Sequence, residues 1–173
     1  MKSTSSLLFV LGLLIALGQG MASRVEAAPP AWSQKIAGAS RFNLVLDNAA
    51  VLDRETNLVW EKSPDTTTRN WPSALYFCND RSVGGRKGWR LPTIQELASL
   101  VDPNNPGGNP DLPPGHPFSN VQSSGYWSAT SNARSPGDAW FVYLVDGVVG
   151  LSGQGEALYG WCVRSEQGGP DAQ

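Results

Sequence analysis

The sequence predicts one exported domain of the α+β class, and three observations carry that expectation. Extended, alternating or β-branched runs stand near both ends of residues 41–165. Two short amphipathic stretches with helix-start chemistry lie between them. The only two cysteines, Cys78 and Cys162, fall in separate elements of that region. Export would place them in an oxidising compartment, where one disulfide is expected and two buried free thiols are the alternative.

The chain divides into four parts. Lys2 supplies a positive start, Leu7 to Leu17 is almost continuously apolar, and small residues follow, which is the layout of a signal peptide over residues 1–28. That apolar stretch spans about 11 residues where a membrane-crossing helix needs roughly 20, so no permanent membrane anchor is expected. No cysteine near the boundary offers a thiol for lipidation. Residues 29–40 read as a linker, 41–165 as the folded domain of one core, and 166–173 as a loose polar tail.

Within the domain, Arg41 to Leu46 alternates with Phe42, Leu44 and Leu46 on one side. Ala50 to Leu52 resumes an extended pattern, and Asp53 to Asn57 turns the chain into Leu58-Val59-Trp60. Asn70-Trp71-Pro72-Ser73 starts a helix over 72–80, since proline is tolerated in a first helical turn. Trp71, Ala74, Leu75 and Cys78 share its apolar face. Gly84, Gly85 and Gly88 break the chain after that helix. Thr93-Ile94-Gln95-Glu96 then spells a capping box that opens a second helix, with Ile94, Leu97, Ala98 and Val101 at i, i+3, i+4 and i+7. Asp102 to Gly125 has no periodicity. Tyr126 to Thr130 is extended, and Ala139 to Val145 is a strand apolar on both faces, hence a central strand or one used for contact. Asp146-Gly147 is a hairpin turn into Val148-Val149, and Leu158 to Arg164 is the closing strand.

Charge and ligand chemistry exclude several classes of function. The formal net charge is −2 and no run of Lys or Arg occurs, so nucleic acid is not an expected partner. Two cysteines and one histidine, His116, do not make a zinc site. No cofactor motif is present. A Ser-His-Asp arrangement would have to use His116, which lies between Gly115 and Pro117, and no Gly-x-Ser-x-Gly elbow occurs. The protein is expected not to be an enzyme. Arg90 and Glu96 are read as an internal pair rather than as acid and base.

Five separated motifs, in order, bring a family into view: Asp53 with Thr56, Leu58 and Trp60; Cys78-Asn79; Gly88-Trp89-Arg90-Leu91-Pro92-Thr93 with Glu96-Leu97; Tyr126-Trp127-Ser128-Ala129-Thr130; and Cys162-Val163-Arg164. They resemble the C-terminal domain of the Legionella collagen-like adhesin, also called the domain of unknown function 1566. The resemblance covers roughly Arg41 to Ser165. It implies a C-type-lectin-like fold, more distantly related to formylglycine-generating enzymes, with two short helices on a small twisted antiparallel sheet and a helix-to-last-strand disulfide. Asp53, Thr56, Trp60, Trp89, Arg90, Pro92, Thr93, Glu96, Trp127 and Arg164 are then structural motif residues. No collagen-like Gly-x-y repeat is present, so multivalent adhesion is not implied. Asp102-Pro103-Asn104 superficially resembles the calcium-holding motif of sugar-binding C-type lectins. Its companion Trp-Asn-Asp is missing, so calcium is not expected.

The function expected is that of an exported, periplasmic or secreted binding module for a glycan, a protein or a cell-surface polymer. The alternatives are a structural or self-associating envelope protein and, remotely, an enzyme of the formylglycine-generating type. Binding residues concentrate on irregular segments over a rigid scaffold. The candidates are therefore Asn104 to Asn120, Ser131 to Asp138 and Ser152 to Glu156, with Asn104, Asn120, Asn132 and Asp138 as polar contacts. Trp140 and Tyr143, on opposite faces of one strand, are the aromatic platforms. Seven tryptophans in all, Trp32, Trp60, Trp71, Trp89, Trp127, Trp140 and Trp161, imply a core built largely of indole.

Overall fold

A computed structural model describes residues 38–102, 104–105 and 110–166. The expected signal peptide, residues 29–37 of the linker, Trp32 and residues 167–173 of the tail lie outside the described residues. A one-turn helix, α1 (Gly38–Arg41), leads directly into β1 (Phe42–Val45), followed by β2 (Ala50–Asp53) and β3 (Leu58–Glu61). The expected strand-turn-strand opening is present. β1 stops at Val45 because Leu46, Asp47 and Asn48 all take positive φ, of 51°, 52° and 65°. Leu46 is thereby turned out of the strand, and Leu44 is exposed rather than sharing a buried side with Phe42.

The helix α2 (Trp71–Asp80) is capped as its sequence demands. The Asn70 side chain accepts from the Ser73 N–H, Pro72 stands in the first turn, and the Trp71 N–H donates to the Gln154 carbonyl. Ala74 and Cys78 are buried. Past it, Val83 and Arg86 exchange two backbone hydrogen bonds of 3.0 Å around Gly84 and Gly85, whose φ values are 56° and 72°. Positive φ at both central residues is the requirement of a type I′ turn.

The helix α3 (Ile94–Ala98) carries the expected capping box, with the Thr93 N–H donating to Glu96 at 2.7 Å and the Glu96 N–H to Thr93 Oγ1 at 3.2 Å. It is shorter than its apolar stripe. After Ala98 the chain tightens into i→i−3 bonds from Leu100 to Leu97 and from Val101 to Ala98, which still lay Leu100 and Val101 on the core.

The remaining strands are β4 (Gly125–Ser131), β5 (Asp138–Tyr143), β6 (Val149–Gly153) and β7 (Val163–Ser165). They form two antiparallel sheets, not one: a four-stranded sheet in the order β1-β2-β3-β7 and a three-stranded sheet in the order β4-β5-β6. β5 is central, as its two apolar faces predict. The strand expected to run to Val145 ends at Tyr143, and the connection before Val148 is four residues long. Leu144 is withdrawn into the core there, its N–H bonded to the Ser124 carbonyl and its carbonyl to the Asp111 N–H. The closing strand is likewise shorter than read. Leu158 and Tyr159 make isolated bridges to Arg69 and Tyr126, and only Val163–Ser165 joins a ladder, against β3. Cys162 thus precedes the last strand.

Two clusters fill the interior. Phe42, Val51, Trp60, Leu97, Leu100, Tyr126, Val142, Leu144 and Trp161 belong to one, and Ala50, Val59, Ala74, Cys78, Trp89, Leu91, Trp127 and Cys162 to the other. Adjacent residues of β2, β3 and β4 therefore face opposite cores. The disulfide Cys78–Cys162 joins α2 to the residue before β7 across a sequence separation of 84.

Closing a loop of that length stabilises the folded chain by about 4 kcal/mol in the chain-entropy model. Replacing both cysteines by serine should lower the urea-unfolding free energy by roughly that amount; an unchanged midpoint would contradict the structural role. A second expectation concerns Gly84, where an added Cβ would lie 2.5 Å from the Leu46 Cβ, whereas Gly85 has open space. Gly84→Ala should cost roughly 2–3 kcal/mol, from strain plus overlap, and Gly85→Ala only about 1 kcal/mol from backbone strain. Thermal unfolding of the two variants compares them directly.

Candidate functional site

The motif side chains are occupied within the scaffold. The Asp53 carboxylate receives Arg41 Nε at 2.8 Å and Arg41 Nη2 at 2.7 Å, the Thr56 hydroxyl at 2.8 Å and the Glu55 N–H at 3.0 Å. Arg90 grips Glu96 with two parallel bonds of 2.7 and 2.8 Å, while Glu96 also caps α3. The Pro92 carbonyl accepts from the Ala129 N–H. Trp89 Nε1 donates to the Arg86 carbonyl, and Trp127 Nε1 to that of Arg69. Trp60 packs edge-on against Trp161 with its own Nε1 unpartnered. Arg164 pairs with Val59 in the first sheet.

The polar candidates do not converge. The Asn104 N–H and Nδ2 both donate to Asp102 Oδ1 in a local turn. Asn120, at φ 56°, donates from Nδ2 to Ser63 Oγ. Asn132 Oδ1 accepts from the Arg134 N–H, and the Asn132 N–H donates to the Asp138 carbonyl, so these two candidates are neighbours. The loops 131–138 and 152–156 also meet, the Gln154 N–H donating to the Gly137 carbonyl and its Nε2 to the Pro136 carbonyl. The stretch 104–120 is a different matter. Leu112 and Phe118 from it are core residues, and Asp111 is buried. His116 lies against Phe118 at 5.7 Å, and burial pushes its pKa down. Among the described residues no group of three or more His, Cys, Asp or Glu could hold a metal.

Among the described residues, two surfaces stand out as open. Of the seven exposed large apolar residues among the described ones, five (Tyr143, Val145, Val148, Val149 and Leu151) lie in nine consecutive positions around the β5–β6 hairpin. Trp140, half-buried, stands opposite Leu151, and Tyr143 leans on Phe141 on the other face. The second surface is a groove along α2, which sequence reasoning did not anticipate. Its signal was Tyr76, an aromatic residue two positions from buried Ala74 and Cys78 and so off the apolar face of α2.

The Lcl C-terminal domain family model matches residues 49–164. The chain belongs to that family. No curated protein matches it. In this Lcl C-terminal domain the Trp89-Arg90-Leu91-Pro92-Thr93 motif works as a joint: Trp89 and Leu91 enter the core, Arg90 bonds its backbone to Val163 in both directions at 2.9 Å, and Thr93 starts α3.

The joint should make the Lcl C-terminal domain sensitive to acid. The Arg90 hydrogen bond, acting against partial burial, holds the Glu96 carboxyl below the ordinary carboxylate range. Its contribution is therefore present above the unfolded-state pKa of about 4.3 and is lost as pH falls through the lower folded value. Glu61 works in the opposite sense. Burial, only partly offset by Arg81, raises its pKa, so ionising it opposes folding as pH rises from the unfolded value through the folded one. Glu96→Gln should cost about 1 kcal/mol at neutral pH, kept small by the exposure of Arg90, and should flatten the acid limb of the stability curve. Urea unfolding at a series of pH values tests this, and an acid limb as steep as the wild type's would refute it.

Proposed function

We propose that this Lcl C-terminal domain is an exported, non-catalytic binding module of the adhesion type, built on a C-type-lectin-like scaffold. Its contact surface is the β5–β6 hairpin, and its ligand is a glycan, protein or polymer of a cell surface or matrix. The observation that carries this reading is the gathering, among the described residues, of five of seven exposed large apolar side chains along the two faces and turn of one hairpin, since clustered exposed apolar side chains on a small domain mark a contact site. The occupied motif side chains support a scaffold role in place of catalysis. The apolar stretch at Leu7 to Leu17 and the disulfide support export, to the periplasm or beyond it. Among the described residues no helix is long and apolar enough to cross a membrane.

The test is a glycan and protein array probed with the disulfide-bonded domain and with single variants. Tyr143→Ala and Leu151→Ala should each weaken binding by about 1–3 kcal/mol while leaving the melting temperature nearly unchanged, because both side chains are already partly in solvent. Trp140→Ala should instead lose stability. Full binding by both exposed variants would remove the hairpin from the site.

A second reading, self-association, is favoured by one feature of the same hairpin. β6 is the terminal strand of its sheet, and Val148 to Gly153 carries no charge and no proline, the usual guards of an open edge. Sedimentation over a range of concentrations separates the two readings, a monomer at all concentrations excluding this one.

A further inference from the structure

The groove along α2 shares no residue with the β5–β6 hairpin. It encloses about 760 Å³, within the range of small-ligand sites, and Arg69, Ser73, Tyr76, Phe77, Asp80 and Arg81 line it. Tyr76 is 73 % exposed, far more than any other large apolar side chain among the described residues. Its neighbour Phe77 is clamped, with the Arg69 guanidinium 3.8 Å and the Arg81 guanidinium 4.8 Å from its ring centroid. The walls are therefore rigid, while one aromatic face is left open to solvent.

The charge of the groove narrows its ligand. Arg69 is paired with Asp65, and Arg81 with buried Glu61 at 2.6 Å. With Asp80 added, two guanidiniums face three carboxylates, a balance of −1 that offers a polyanion no positive field, and the single unbalanced carboxylate, Asp80, is too few ligands to hold a cation. Hydrogen-bonding capacity nevertheless remains. Arg81 holds Glu61 through Nε and Nη2, and its guanidinium, the Ser73 hydroxyl and the Asp80 carboxylate border the same space. An exposed ring beside a carboxylate, a hydroxyl and a guanidinium N–H matches an uncharged pyranose. The axial C–H groups of the sugar pack on the ring, and its vicinal hydroxyls donate to the carboxylate and accept from the N–H.

We propose that the α2 groove binds an uncharged oligosaccharide, with Tyr76 as the stacking platform and Asp80, Arg81 and Ser73 as partners of the sugar hydroxyls. The disulfide-bonded protein is titrated by calorimetry with neutral hexasaccharides of glucose, mannose and N-acetylglucosamine, with a heparin fragment for comparison. At least one neutral hexasaccharide should bind saturably, with an affinity unchanged between low and high salt. Tyr76→Ala should weaken that binding about tenfold or more without lowering the melting temperature, Tyr76→Phe should retain it, and Asp80→Asn should weaken it. Tyr143→Ala should leave it intact, which separates this site from the hairpin. The proposal is overturned if no neutral hexasaccharide binds, if only the heparin fragment binds and loses affinity with salt, or if neutral binding survives Tyr76→Ala.

Discussion

Cys162 is held from three directions, and the fold depends on that convergence. Its sulfur is bonded to Cys78 of α2, its N–H donates to Glu61 Oε2 at 3.2 Å, and its carbonyl accepts from the Glu61 N–H at 3.1 Å. On one side of it, Trp161 Nε1 donates to the Glu61 carbonyl; on the other, Val163 exchanges backbone bonds with Arg90. A few residues earlier, Tyr159 bridges to Tyr126 of β4 and Leu158 to Arg69. One short segment thus ties β3, α2, the approach to α3 and the second sheet together. None of these parts is large enough to be stable alone. The carboxylate at the centre is 1 % exposed, and an unpaired charge at that depth would be costly. Arg81 and the Cys162 N–H are what make it tolerable.

Such a small domain can carry its indoles only by covering its central strands twice. Val51 and Trp60 face one core, Ala50 and Val59 the other; Tyr126 and Trp127 divide in the same way on β4. The hairpin beyond β5 and the outer side of α2 are the parts of the described surface left with exposed aromatic or clustered apolar groups. Most of the residues that made the chain resemble the family in sequence lie in the doubly covered interior or in its caps, where they hold the domain together. Variation in ligand would then be written on the margins, where a substitution costs little stability.

The polar pairs divide between two roles. Arg41 with Asp53 and Arg90 with Glu96 hold chain turns in register through bidentate geometry, each carboxylate also accepting a backbone N–H. Arg69 and Arg81, by contrast, stack on Phe77 while paired to acids, which fixes a surface rather than a turn. Both line the α2 groove, which sets them apart from the other ion pairs.

What the sequence by itself determined is local. Asn70 with Pro72 and Thr93 with Glu96 start their helices because the capping bonds form within three residues, and Gly84-Gly85 makes its turn because only glycine accepts positive φ freely. The opening strands and the burial of Cys78 followed from periodicity, and the pairing of the cysteines from there being two. What only the tertiary structure decided is which elements meet. Nothing in their periodicity separates β1-β2-β3-β7 from β4-β5-β6, since ladder partners are chosen by burial across the whole chain. Leu144 leaves its strand because a core position awaits it, although its own neighbours favour extension. The α2 groove was invisible for the same reason: Arg69, Tyr76, Phe77 and Arg81 are ordinary residues along the chain, and line one groove only once Glu61 of β3 holds Arg81 beside Phe77.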